Sequence, residues 1–249
     1  RAYGRFVDSF EGRYVTAADI GTISEDLDII GETTSYVVGR TLGAGGLGDS
    51  AHSTALGVVV SMRAAVEFGQ GRSLEGLRVG VEGVGKVGSQ LLALLRREGA
   101  ALAVSESHAP ARARIEAQHP DLSIFDTLFG EYIDIYAPCG LGATVTPESV
   151  DALRASVVCG AANNQLANDQ VSDQLVARQI LWVPDYVANA GGLIQVAAER
   201  EGRPLEDAHE QIEQLSHAVV AILRRAAQQR VTPATAARRI ADERLASIC

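Results

Sequence analysis

Cysteine is scarce here. Cys139, Cys159 and Cys249 are the only three in 249 residues, too few for a disulfide framework. Cys139 and Cys159 lie in apolar stretches, as small core residues do. The five histidines (His52, His108, His119, His209, His217) keep no metal-ligand spacing and join no Cys/His cluster, so no metal is expected. No Ser-His-Asp arrangement is supported by spacing. No apolar run reaches membrane-spanning length and no signal peptide is visible. A cytoplasmic setting with no membrane partner is therefore the default expectation. Positive charge is in deficit: 22 Lys and Arg stand against 31 Asp and Glu, a net charge of −9. The two signs are interspersed rather than blocked, which disfavours nucleic acid as a partner. Internal repeats and low-complexity tracts are absent.

What is present is apolar substance and one strong motif. Hydrophobic residues make up 47 % of the chain, and at this length about 70–75 % of the unfolded surface can be buried. The stretch Leu77–Gly88 reads L-R-V-G-V-E-G-V-G-K-V-G. An apolar strand, Leu77–Val81, meets Gly83-x-Gly85-x-x-Gly88 and then a helical pattern over Gln90–Arg97. This strand–turn–helix wraps a dinucleotide pyrophosphate at the helix N-terminus. Gly83 permits the sharp exit from the strand, Gly85 clears the approach of the phosphates, and Gly88 lets the helix pack on the sheet. Val84, Lys86 and Val87 stand between them in the same loop. A second strand, Ala101–Ser105, ends at Glu106, where an acid accepts hydrogen bonds from the ribose and repels the 2′-phosphate of NADP.

Around this motif, strands and helices alternate. A helix over Thr54–Phe68 precedes it. A helix over Ala111–Gln118, strands over Tyr132–Pro138 and Ser156–Cys159, a helix over Val171–Arg178 and a strand over Ile180–Val183 follow. Such alternation predicts an α/β fold, a doubly wound parallel sheet with helices on both faces. Earlier, Arg1–Phe10 reads as a helix, Arg13–Thr16 as a short strand, Ser24-Glu25-Asp26 as a helix start, and Leu42–Gly48 as a Gly-rich hinge or linker. Later, Leu205–Gln229 carries one helical face, and Thr232-Pro233 opens a last helix to about Ser247. His209 and His217 read as lying on a solvated face or flank. Two strand ends stand out: Cys159-Gly-Ala-Ala-Asn163-Asn164 and Pro184-Asp-Tyr-Val-Ala-Asn189-Ala-Gly-Gly192. Small residues admit a ligand to the backbone and amides read its donors and acceptors. Asn and Gly also serve turns and caps, and so does a lone acid such as Asp19.

Taken together, R-A-Y-G-R-F-V-D-S-F-E-G-R-Y-V-T-A-A-D, G-V-G-K-V-G, Y-A-P-C-G-L-G, C-G-A-A-N-N-Q-L and P-D-Y-V-A-N-A-G-G-L-I-Q-V resemble the amino acid dehydrogenases of the leucine, valine and phenylalanine type. The resemblance runs over nearly the whole chain. It implies reversible oxidative deamination of an L-amino acid with NAD, giving a 2-oxo acid and ammonia. It implies that Asp19 is the catalytic proton shuttle and that Asn163 holds the substrate's amino group. Thr54 lies near the nicotinamide carboxamide, with Asn189 at the nicotinamide half. Ala17, Leu193 and Val196 line the side-chain pocket; all are apolar, which disfavours glutamate. Ala17 is nearer the branched-chain pattern, while Leu193 leans toward aromatic substrates.

Two departures accompany the resemblance. Gly140-Leu-Gly-Ala143 is slightly altered from the family's Ala-x-Gly-Gly, and Leu42–Gly48 with His52-Ser53 replaces a more proline-containing stretch. The family's glycine-rich lysine segment and its second, carboxylate-gripping lysine are expected upstream of Arg1. Residues 1–50 are accordingly read as the remnant of an N-terminal catalytic lobe. Residues 51–205 read as a Rossmann-type NAD-binding domain, and 206–249 as helices packing back toward the first lobe. A homo-oligomer is implied by resemblance. The rival reading is a non-catalytic nucleotide-binding or assembly subunit without the lysine lobe.

Overall fold

The structure, a computed structural model, describes residues 1–19 and 21–247; Cys249 lies outside the described residues. The chain opens with α1 (Ala2–Asp8) and α2 (Ser24–Gly31). Acids sit where the dipole of α2 favours them: the Asp26 carboxylate accepts the Ile23 N–H at its start. The strand expected over Arg13–Thr16 reduces to one parallel bridge, Thr16 to Val37. Only the Thr16 N–H to Tyr36 O and Val38 N–H to Thr16 O bonds join these segments, too few to propagate a ladder.

The Gly-rich linker 42–48 contains a short 3-10 turn, Leu42–Ala44, and is pinned from below. Glu199 accepts the Gly39 and Leu47 N–H groups, and Gln195 Nε2 donates to the Leu47 and Gly48 carbonyls. The long helix α3 (Ala51–Gln70) follows and ends at left-handed Gly71.

Beyond it come β1 (Arg78–Glu82), α4 (Lys86–Arg97), β2 (Ala101–Ser105), α5 (Ala109–Gln118), β3 (Ser123–Phe125) and β4 (Ile135–Pro138). Next are α6 (Pro147–Ala152), β5 (Val157–Val158), α7 (Asp169–Ala177), β6 (Leu181–Trp182), α8 (Asp185–Ala188) and α9 (Gly191–Arg200). The six strands are all parallel in the order β3-β2-β1-β4-β5-β6. The expected doubly wound sheet is therefore present. Its direction of winding reverses between β1 and β4, which makes that crevice the natural ligand edge.

One face of the sheet buries Val79, Val81, Leu91, Leu95 and Ile115 with Val58 and Met62 of α3. The other buries Leu128, Ile133, Tyr136, Val150, Val171, Leu175 and Trp182. The β3 strand and α6 were not anticipated. The first is three residues long; the second is a short helix fixed by reciprocal Thr146 and Ser149 caps.

The single helix expected over Leu205–Gln229 is instead two, α10 (Leu205–Glu213) and α11 (Leu215–Gln229). Gln214 between them keeps helical dihedrals, φ −70° and ψ −11°, so no glycine or proline marks the break. Packing makes it: α10 lies on α9 and α3, while α11 lies on α3 and on α12 (Pro233–Ala246). Thr232 caps α12 as expected, its hydroxyl accepting the Thr235 N–H. No helix among the described residues is long and apolar enough to cross a membrane.

Candidate active site

The glycine loop is shaped partly by the protein and partly by nothing in it. Gly83 has φ +88°, and a Cβ there would stand 2.7 Å from the Gly140 nitrogen. A Cβ on Gly88 would stand 2.0 Å from the Gly83 carbonyl oxygen. Both positions need glycine for the fold to close. Gly85 does not: its φ is −67° and a Cβ would meet nothing within 4 Å. The space above Gly85 faces the start of α4, whose first N–H groups receive no side-chain cap. Uncapped N–H groups beside a cleared backbone fit a dinucleotide pyrophosphate.

Val84 is fully buried and Val87 half-buried, so they hold the loop onto the core. Glu106 stands beside the loop. Its Oε2 accepts the Val84 N–H at 2.8 Å and its Oε1 the His108 N–H at 2.8 Å. Two backbone donors fix the carboxylate, and each oxygen keeps a lone pair for a ribose hydroxyl.

Lys86 reaches out of this loop to residues 1–50. Its Nζ lies 3.0 Å from Asp49 Oδ2 and 3.3 Å from the Thr22 carbonyl. Thr22 closes the turn that carries Asp19: the Asp19 N–H donates to Thr22 Oγ1 at 2.7 Å, and the Thr22 N–H returns to the Asp19 carbonyl. The turn that carries the exposed Asp19 is thus tied to the glycine loop through the Lys86 side chain.

The ends of β5 and β6 are joined by side chains. Gln165 is buried; its Nε2 donates to the Gly160 carbonyl and its Oε1 accepts from Trp182 Nε1. Asn164, left-handed at φ +51°, donates its N–H to Asp185 Oδ2 at 2.5 Å. Asn189 Nδ2 donates to Asn163 Oδ1 at 2.6 Å and to the Ala161 carbonyl at 3.2 Å. Just beyond, α9 begins against the start of α3, so close that a Cβ on Gly191 would stand 1.9 Å from the Ser53 carbonyl oxygen. Thr54, whose hydroxyl donates to the Ser50 carbonyl, borders Gly192 there. Asn163 and Asn189 are thus bonded to each other, and Thr54 lies against Gly192, three residues beyond Asn189. Leu193 is 71 % exposed and Val196 half-buried one turn on; Ala17 is exposed.

Three supports carried no assignment from sequence. Gln165 and Asp185 lie inside the quoted motifs, and their neighbouring amides were the only signal. Glu82, last in β1, is the third. Its carboxyl is bonded by the buried Tyr136 hydroxyl, and burial pushes it up to about 7. Half-buried His209 bonds the Ser53 hydroxyl at 3.3 Å. Burial pushes the Cys139 thiol up to about 12 and raises that of Cys159, so both stay protonated and inert. Among the described residues no cluster of three or more His, Cys, Asp or Glu is arranged to hold a metal ion.

The family model for glutamate/leucine/phenylalanine/valine dehydrogenase matches residues 45–113 and 111–248. A valine dehydrogenase of Streptomyces virginiae is 44 % identical over 249 residues, 98 % of this chain and 70 % of that protein. A leucine dehydrogenase of Bacillus cereus is 38 % identical, over 100 % of this chain and 68 % of its own length. The crystal structure of L-tryptophan dehydrogenase from Nostoc punctiforme aligns with a TM-score of 0.82 at 37 % identity, covering 99 % of this chain and 72 % of that one.

Proposed function

Since the chain belongs to the glutamate/leucine/phenylalanine/valine dehydrogenase family, we propose that it serves NAD-dependent, reversible oxidative deamination of an apolar L-amino acid. Leucine or valine is the first choice and phenylalanine the second. The observation that carries this reading is the cleared, uncapped loop at Gly85 with the fixed Glu106 carboxylate beside it, on the same strand edge as the Asn163–Asn189 pair.

NAD, when bound, supplies the hydride acceptor. Gly83–Gly88 hold its pyrophosphate, with Val84 and Val87 anchoring the loop. Glu106 accepts from the ribose, and its charge disfavours a 2′-phosphate. Thr54 and Asn189 border the nicotinamide half. Asp19 moves protons in the water and amine steps. Asn163 binds the polar head of the substrate, while Ala17, Leu193 and Val196 meet its side chain; an apolar wall there leaves a glutamate carboxylate without a partner. On this reading residues 1–50 belong to a catalytic lobe, 51–205 to the coenzyme domain and 206–249 to helices packing back toward the first lobe. The enzyme works as a homo-oligomer, the assembly implied by resemblance.

The test is a panel of amino acids with NAD and with NADP on the full-length protein. Turnover with leucine or valine and NAD is expected, with Glu106→Ala narrowing the preference for NAD over NADP by about tenfold, the loss of one charge-assisted contact. No turnover with any apolar amino acid would reject the proposal, and unchanged selectivity in the variant would reject the role of Glu106.

A further inference from the structure

We infer that Asn189 is a positioning residue that sets which end of the Asn163 amide faces the substrate. The inference rests on the proposed site and concerns a contact within it. The Ala161 carbonyl can only accept, so the Asn189 group 3.2 Å from it is the N–H2. That same nitrogen lies 2.6 Å from Asn163, which must therefore present its oxygen. The Asn163 amide is thereby held with Oδ1 turned to Asn189, while Nδ2, on an exposed side chain, makes no hydrogen bond among the described residues.

The backbone under both amides is fixed. The buried Gln165 ties the Gly160 carbonyl to Trp182, and Asp185, one residue into α8, holds the Asn164 N–H. The end of the substrate that meets Asn163 Nδ2 is an oxygen of the amino acid or 2-oxo acid, because an N–H2 group cannot accept from an ammonium; this replaces the amino-group role that the resemblance implied for Asn163. Asn189 has committed both amide hydrogens, so only its Oδ1 remains for a coenzyme. It acts on substrate recognition through Asn163.

The experiment compares Asn163→Ala, Asn189→Ala, Asn189→Asp and the double alanine variant of the full-length enzyme. The readouts are KM for the 2-oxo acid and the dissociation constant of NADH, the latter read from the fluorescence of NADH itself on binding. Asn189→Ala should raise the 2-oxo acid KM about tenfold while NADH binding moves less than threefold, a split that a general structural role would not produce. Asn189→Asp should cost more than alanine, because a carboxylate opposes both the Asn163 and Ala161 oxygens and forces the Asn163 amide to turn. The double variant should be no worse than Asn163→Ala alone. Additive effects, or a loss of NADH affinity as large as the rise in KM, overturn the inference. If Asn163→Ala itself leaves KM unchanged, the site reading fails instead. Asn189→Ser, which keeps a donor, should recover part of the KM that alanine loses, and a KM as poor as that of the alanine variant overturns the inference.

Discussion

The two halves of the strand edge are made of different materials. Beside β1 and β2 the surface is backbone: turned glycines, uncapped N–H groups of α4 and a loop amide bonded by Glu106. Beside β5 and β6 it is side-chain amide, with Asn163, Gln165 and Asn189 bonded to carbonyls or to each other. The difference matches the tasks proposed for them. A pyrophosphate carries charge and little shape information, so repeated N–H groups suit it. An amino acid head carries a donor and an acceptor end, and an orientable amide distinguishes them.

The sharpest cut through this comparison falls within the glycine loop. Gly88→Ala puts a methyl 2.0 Å from a backbone oxygen that cannot move aside cheaply. It should destabilise the protein by about 3 kcal/mol, read as a lower denaturant midpoint. Gly85→Ala meets no protein atom within 4 Å; it should leave the midpoint unchanged and weaken NADH binding about tenfold, since only a ligand needs that space. Equal stability losses in the two variants would show that the loop is cleared for folding and not for a coenzyme.

Glu82 tests whether the first half really is backbone alone. Its carboxyl sits under the loop, bonded by Tyr136 and pushed by burial up to about 7. Because the folded state holds this proton more tightly than the unfolded chain, stability should fall as pH rises through the window from the ordinary carboxylate value to about 7, then level off. Glu82→Gln keeps the shape and removes the titration. Discounted for partial solvent screening, its gain over the parent should be about 1 kcal/mol at pH 8 and vanish near pH 4.5, measured by urea unfolding at both values. A gain of equal size at both pH values would mean the carboxyl is not the titrating group.

The same contrast explains what could be read from residues alone. Gly83–Gly88, Ala101–Ser105 and Thr232-Pro233 are local devices whose spacing carries their geometry, and they fold where spacing places them. The amides of the other half were visible as an odd composition at two strand ends, but their mutual bond spans 26 positions in sequence. Nothing local announces it. The break at Gln214 is hidden for a related reason: its dihedrals remain helical, and only the different partners of α10 and α11 require it. The bridge at Thr16 fails as a strand because one pair of bonds cannot sustain a ladder. Burial of Glu82 depends on Tyr136, set two residues off in the register of the neighbouring β4.

Lys86 gives the smallest effect and the finest distinction. Its side chain carries the glycine loop across to Asp49 and to the turn bearing Asp19, and both partners of its ion pair are substantially exposed, 55 % and 43 %. An exposed pair of this kind contributes less than about 1 kcal/mol to stability. With its ammonium engaged by Asp49, Lys86 adds little to what the α4 N–H groups already offer a phosphate. Lys86→Met should therefore weaken NADH binding only about twofold at 0.15 M salt, where exposed charges are screened within a Debye length of about 8 Å. A loss beyond tenfold would mean that the ammonium leaves Asp49 for the coenzyme. Binding would then break the Lys86 contact with the Thr22 carbonyl, and the backbone-built half would owe its affinity to a side chain after all.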